Sequence, residues 1–149
     1  GLGNRYLVEL PGVNSELRDT NTVECRILRV LVVDDDALLC ETVTWMLAMD
    51  GHQITDVRSA EEALVRLQTE NFDIVIVDMR LPQMSGLELL DAMERQWPEQ
   101  ATRTLLTSGL REKLDRQGYP YLQKPFTRQD LIDAIDQVLS IASSSEVGL

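Results

Sequence analysis

Apolar residues in this chain alternate between two habits. Some form short continuous runs; others recur every three or four positions along longer stretches. Ile27–Val33 (ILRVLVV) is a β-branched run closed by Asp34, Asp35 and Asp36. Ala37–Met49 follows with Leu39, Val43, Met46 and Leu47 at helical spacing. Gln53–Val57 reads as a weaker strand. Ser59 opens a helix to about Glu70, and Ser59 with Glu62 has the spacing of a capping box. Asp73–Asp78 (DIVIVD) is apolar on both faces, as a buried parallel strand must be. Ser85 and Glu88 repeat the capping-box spacing before a helix that runs to about Trp97, just ahead of Pro98. Ala101–Thr107 and Tyr119–Gln123 read as the fourth and fifth strands. Between them Leu110–Gln117 has room for two helical turns, with Gly118 as its C-cap and Pro120 at the start of an edge strand. Thr127 caps a last helix with the stripe Leu131, Ile132, Ile135, Val138 and Leu139. Ser140–Leu149, small and polar, reads as frayed.

Five strands alternating with helices predict an α/β fold with a parallel sheet and helices on both faces. In such sheets the ligand crevice lies outside the carboxyl ends of the strands. The residues at those ends are polar: Asp34, Asp35 and Asp36 after the first strand, Asp78 on the third, Thr107 and Ser108 on the fourth, Lys124 and Pro125 after the fifth. An aspartate after a strand is ordinarily a turn residue or helix cap. Acids, a hydroxyl and a lysine converging on one crevice require more than that. Packed carboxylates repel unless a cation or a raised pKa relieves them. Oxygen-only ligands suit a hard cation such as Mg²⁺. A carboxylate beside such an ion can attack phosphorus and form an acyl phosphate, while a lysine and a hydroxyl stabilise charge on the phosphoryl oxygens.

Composition narrows the partners. Acidic residues outnumber basic ones 25 to 14, for a formal charge of −11. That opposes nucleic-acid binding, which needs clustered Lys and Arg, and opposes an anionic membrane surface. No apolar run reaches the roughly 18 residues of a membrane span, and Gly1–Tyr6 lacks a signal-peptide core. Cys25 and Cys40 make no metal pattern, so a reducing cytoplasm is the expected compartment. His52, the single histidine, stands at a strand start far in sequence from the acids, in a surface or structural role. Trp45, Met46 and Met49 are expected in the core.

The runs LRVLVVDDD, DIVIVDMRLPQMSG, LLTSG and YLQKPF, in this order, resemble the receiver domains of response regulators. The resemblance covers about Arg26 to Leu139. It implies a flavodoxin-like doubly wound sheet of order 2-1-3-4-5 with a short fourth helix. It implies Asp78 as phospho-acceptor, and Mg²⁺ held by Asp34, Asp35, Asp78 and the backbone carbonyl of Arg80. Thr107 and Lys124 would contact the phosphoryl group, and Tyr121 would be the aromatic switch that turns inward with Thr107. The Lys124–Pro125 bond would be cis. The implied partner is a histidine kinase or histidine phosphotransfer domain, with no nucleic acid or membrane contact, and the domain itself is expected to be a monomer. Asp36 reads as a helix-start residue rather than a ligand. Arg80 and Ser108 depart from the usual pattern beside the acceptor. Two alternatives stay open. One is a degenerate receiver that only binds, which the intact acid, threonine and lysine set opposes. The other is an aspartyl-phosphate-type Mg²⁺-dependent phosphatase, which wants a second Asp where Arg80 stands.

Residues 1–25 are expected to be a tail and linker, 26–141 the receiver and 142–149 a C-terminal tail. GNRYLVELP (Gly3–Pro11) alternates like a strand and resembles the last strand of a histidine kinase ATP-binding domain. On that resemblance the chain is the C-terminal receiver of a hybrid histidine kinase, cut out with the end of its neighbour.

Overall fold

The computed structural model describes residues 27–109 and 118–147. The expected N-terminal strand, the linker to Cys25 and the short fourth helix lie outside the described residues. Within them the order is β1 (Arg29–Val33), α1 (Ala37–Ala48), β2 (Gln53–Val57), α2 (Ala60–Thr69), β3 (Ile74–Asp78), α3 (Gly86–Gln96), a helical turn α4 (Pro98–Ala101), β4 (Thr104–Ser108), β5 (Tyr121–Gln123) and α5 (Arg128–Val147). The strands form one sheet of order β2-β1-β3-β4-β5, all parallel. This is the doubly wound order expected above.

Alternation along the strands divides the core in two. Leu31, Val33, Val75, Val77 and Leu106 face Ala63 and Leu67 of α2 and Leu89, Leu90 and Met93 of α3. Val30, Val32, Ile74, Ile76 and Leu105 face Val43 and Leu47 of α1 and Leu131, Ile135 and Val138 of α5. Helices thus cover both faces, and β3 is buried along its whole length.

The caps explain most helix starts. Asp36 accepts the N–H groups of Leu38 and Leu39 at the start of α1. Ser85 and Glu88 form the full reciprocal capping box of α3. At α2, Ser59 accepts from Glu62 N–H, but the Glu62 carboxylate takes the Arg58 N–H instead of closing the box on Ser59. Thr127 and Asp130 exchange both capping bonds at the start of α5.

Four expectations are corrected. The fourth strand begins at Thr104, not Ala101, because Pro98 at a first helical position starts a new turn that Ala101 completes. The fifth strand begins at Tyr121, not Tyr119. The last helix runs on to Val147, past the expected fraying at Ser140, and buries Ala142. Trp45 and Met49 are 67% and 60% exposed, outside the core. With Leu38 they share the outward side of α1, whose inward side is supplied by Cys40, Val43 and Leu47.

Candidate functional site

The carboxyl edge of the sheet carries the site. β1 delivers Asp34 and Asp35, β3 ends on Asp78, and β4 places Thr107 directly opposite Asp78 in the parallel register. Lys124 follows β5 and is tied to the sheet by its N–H to Ser108 O at 2.8 Å. The Lys124–Pro125 bond is cis.

Asp34 and Asp78 are oriented by the same local device. Asp34 Oδ1 accepts the Asp36 N–H at 2.9 Å, and Asp78 Oδ1 accepts the Arg80 N–H at 3.1 Å. Each is a strand-ending aspartate folded over its own turn. Their other oxygens meet one cation: Lys124 Nζ lies 2.7 Å from Asp34 Oδ2 and 3.3 Å from Asp78 Oδ2. Asp34 and Asp78 are buried, whereas Asp35 is exposed at the mouth. Gly86 allows the turn after Asp78 to close on α3, since a Cβ there would stand 2.3 Å from Asp78 O.

Electrostatics follow from this packing. Burial pushes the Asp78 carboxyl above its ordinary pKa; Asp34 adds to the rise, while the Arg80 N–H and Lys124 oppose it. Burial works against the Lys124 charge, but its hydrogen bond to Asp34 and the charges of Asp34 and Asp78 prevail, so its pKa is raised. One carboxylate oxygen from each of Asp34, Asp35 and Asp78 lies within 4.8 Å of the others. That all-oxygen set is chemically suited to a small hard cation.

The remaining sequence candidates fall as follows. Thr107 is buried, and its hydroxyl lies 3.5 Å from Val77 O. Tyr121 is half-buried on β5, paired in register with Leu106. Arg80 keeps its side chain exposed. Asp36 serves as an N-cap. His52 is structural: its Nδ1 accepts the Leu28 N–H at 3.0 Å, and burial lowers its pKa. Sequence reasoning missed Cys40, whose buried thiol donates to Asp34 O at 3.4 Å; nothing in a lone cysteine signals such a contact. It also missed a bond from Tyr119 Oη to Glu94 Oε2 at 2.6 Å.

Residues 30–136 match the response regulator receiver domain. The chain belongs to this family. It is 35% identical over 111 residues to the response regulator protein FleR of Pseudomonas aeruginosa, covering 72% of this chain and 24% of FleR. It is 32% identical over 120 residues to the two-component response regulator PhoP of the same organism, covering 78% of this chain and 53% of PhoP. The receiver therefore spans about a quarter to a half of the length of these curated relatives. Among solved structures, it resembles the signal receiver domain of an HD domain-containing protein from Pseudomonas fluorescens Pf-5. The TM-score there is 0.71 at 30% identity, over 80% of this chain and 99% of that one. The chemotaxis response regulator CheY4 of Vibrio cholerae gives a TM-score of 0.69 at 28% identity, over 76% of this chain and 100% of that one.

Proposed function

We propose that this receiver takes a phosphoryl group from a phosphohistidine onto Asp78. The observation that carries the reading is the meeting of Asp34, Asp35 and Asp78 within 4.8 Å, with Lys124 bonded to two of the three. An Asp78 oxygen attacks phosphorus, the P–N bond to the donor imidazole breaks, and its electron pair returns to the ring nitrogen. The product is an acyl phosphate on Asp78. The Arg80 N–H holds the other Asp78 oxygen and so fixes which one attacks. Lys124 and Thr107 would stabilise charge on the transferred oxygens.

Asp34, Asp35 and Asp78, with the Arg80 carbonyl that the family resemblance adds, would hold Mg²⁺, which when bound supplies positive charge to the phosphoryl oxygens. The donor is a histidine kinase or a histidine phosphotransfer domain. Phosphorylation then draws on Thr107 and Tyr121, which sit on neighbouring strands β4 and β5. The phosphatase alternative lacks its second acid, because Arg80 occupies that position. A phosphohistidine donor mixed with the receiver and Mg²⁺ tests the reading. Label should move to the wild type and not to Asp78→Asn. Transfer to both at one rate would overturn it.

A further inference from the structure

β5 is three residues long and has one strand neighbour, β4. Such an edge strand has little of its own to hold it, yet Lys124 must be placed to within a fraction of an ångström to act on a phosphoryl group. Side-chain bonds brace it at both ends. At its end Lys124 reaches Asp34 and Asp78. At its start Tyr119 donates its phenol to the Glu94 carboxylate at 2.6 Å, the short distance of a charge-assisted bond. The Tyr119 ring also packs against the core under α2 and α3.

These contacts close a circuit. α3 is fixed to the acceptor turn by the Gly86 N–H to Met79 O, and by the Gly86 approach to the Asp78 backbone. Two turns on, α3 presents Glu94 to Tyr119. From Tyr119 the chain passes Pro120, whose O accepts the Leu106 N–H, and runs through β5 to Lys124. Lys124 returns to Asp78. The acceptor and the lysine are thus registered to each other through α3 as well as through the sheet.

We infer that Tyr119, held by Glu94, is a positioning residue for phosphoryl uptake: it sets where Lys124 stands relative to Asp78. This rests on Asp78 being the acceptor. It acts through β5.

The test measures the rate of Asp78 phosphorylation by a small-molecule phosphoryl donor with saturating Mg²⁺. Wild type, Tyr119→Phe, Glu94→Ala and Glu94→Gln are compared, alone and in a Lys124→Ala background. Tyr119→Phe and Glu94→Ala should each slow uptake about threefold, the scale of one net hydrogen bond. Their double variant should be no slower than either. Glu94→Gln, which keeps an acceptor oxygen, should recover most of the rate. In the Lys124→Ala background Tyr119→Phe should have no further effect, because the group it positions is gone. Mg²⁺ affinity should be the same in Tyr119→Phe, Glu94→Ala and Glu94→Gln as in the wild type. If Tyr119→Phe matches the wild type, or slows Lys124→Ala by the same factor, the positioning role is wrong. A wild type that takes up no phosphoryl group overturns the acceptor assignment, and the positioning role with it.

Discussion

Lys124 donates to Asp34 Oδ2 at 2.7 Å, across 90 positions of sequence. The lysine is thereby the resident counter-charge of the acidic pocket. Removing one partner of a buried ion pair costs roughly 3–5 kcal/mol, and the 20% exposure of the Lys124 side chain lowers that figure. Lys124→Ala should destabilise the metal-free protein by about 2 kcal/mol. Mg²⁺ should restore part of the loss through mass action, and Asp35→Ala should remove that rescue. Urea titrations in chelator and in Mg²⁺ measure both effects. Equal midpoints for Lys124→Ala and wild type in chelator would contradict the role.

Asp78→Asn should fold and be at least as stable as the wild type without metal. The Asp78 carboxyl is raised chiefly by burial. A carboxyl raised on folding is penalised in its ionised form, so it costs stability above its folded pKa and costs none below its unfolded value. Asn is uncharged and nearly isosteric. Its advantage should therefore be present at neutral pH and vanish in acid below about pH 4. Melting curves across that range decide it; a variant less stable at neutral pH would refute the penalty.

How much of this was legible beforehand depended on whether one strand or helix carried the signal. β3 announced itself because DIVIVD is apolar on both faces, and the rule for parallel sheets put Asp78 at the crevice, while its reading as acceptor came from the resemblance to receiver domains. The same rule put Asp34 and Lys124 at that crevice, but the 2.7 Å bond between them was not read from the sequence. α1 was ambiguous because its apolar residues lie all round the helix, so periodicity could not tell the Trp45 side from the Val43 side. The start of β4 was misread because the turn Pro98–Ala101 is held by a long-range contact. The Gln100 amide bonds both N–H and C=O of Phe72, 28 residues away. The Tyr119–Glu94 bond joins α3 to the start of β5 across 25 positions, and no local pattern encodes it.

His52 should give the fold a mild acid sensitivity. Its Nδ1 accepts the Leu28 N–H, which only the neutral ring can do, and burial lowers its pKa against the opposing charges of Asp50 and Asp73. A histidine lowered on folding contributes stability that is present above its unfolded value of about 6.5 and is lost as pH falls through the folded pKa. His52→Asn, which can keep an acceptor there without titrating, should flatten the stability profile in that window. An unchanged profile would show that His52 is not its source.

Thr104→Val should stabilise the domain by about 1 kcal/mol. Thr104 is fully buried at the start of β4, and its hydroxyl has no hydrogen-bond partner among the described residues. A buried unsatisfied hydroxyl costs roughly 1–3 kcal/mol, and valine has nearly the same shape with good strand propensity. Denaturant midpoints report the change, and a loss of stability would reveal a bond to that hydroxyl.

Phosphorylation is expected to be covalent and local, on one Asp78 oxygen and dependent on Mg²⁺. Intact-mass measurement after incubation with acetyl phosphate, followed by peptide mapping, tests it most directly. One phosphoryl group should appear on the peptide containing Asp78 in Mg²⁺, and none should appear in chelator or on Asp78→Asn. A wild type that stays unmodified in Mg²⁺, or a phosphoryl group mapped to another residue, would contradict the account.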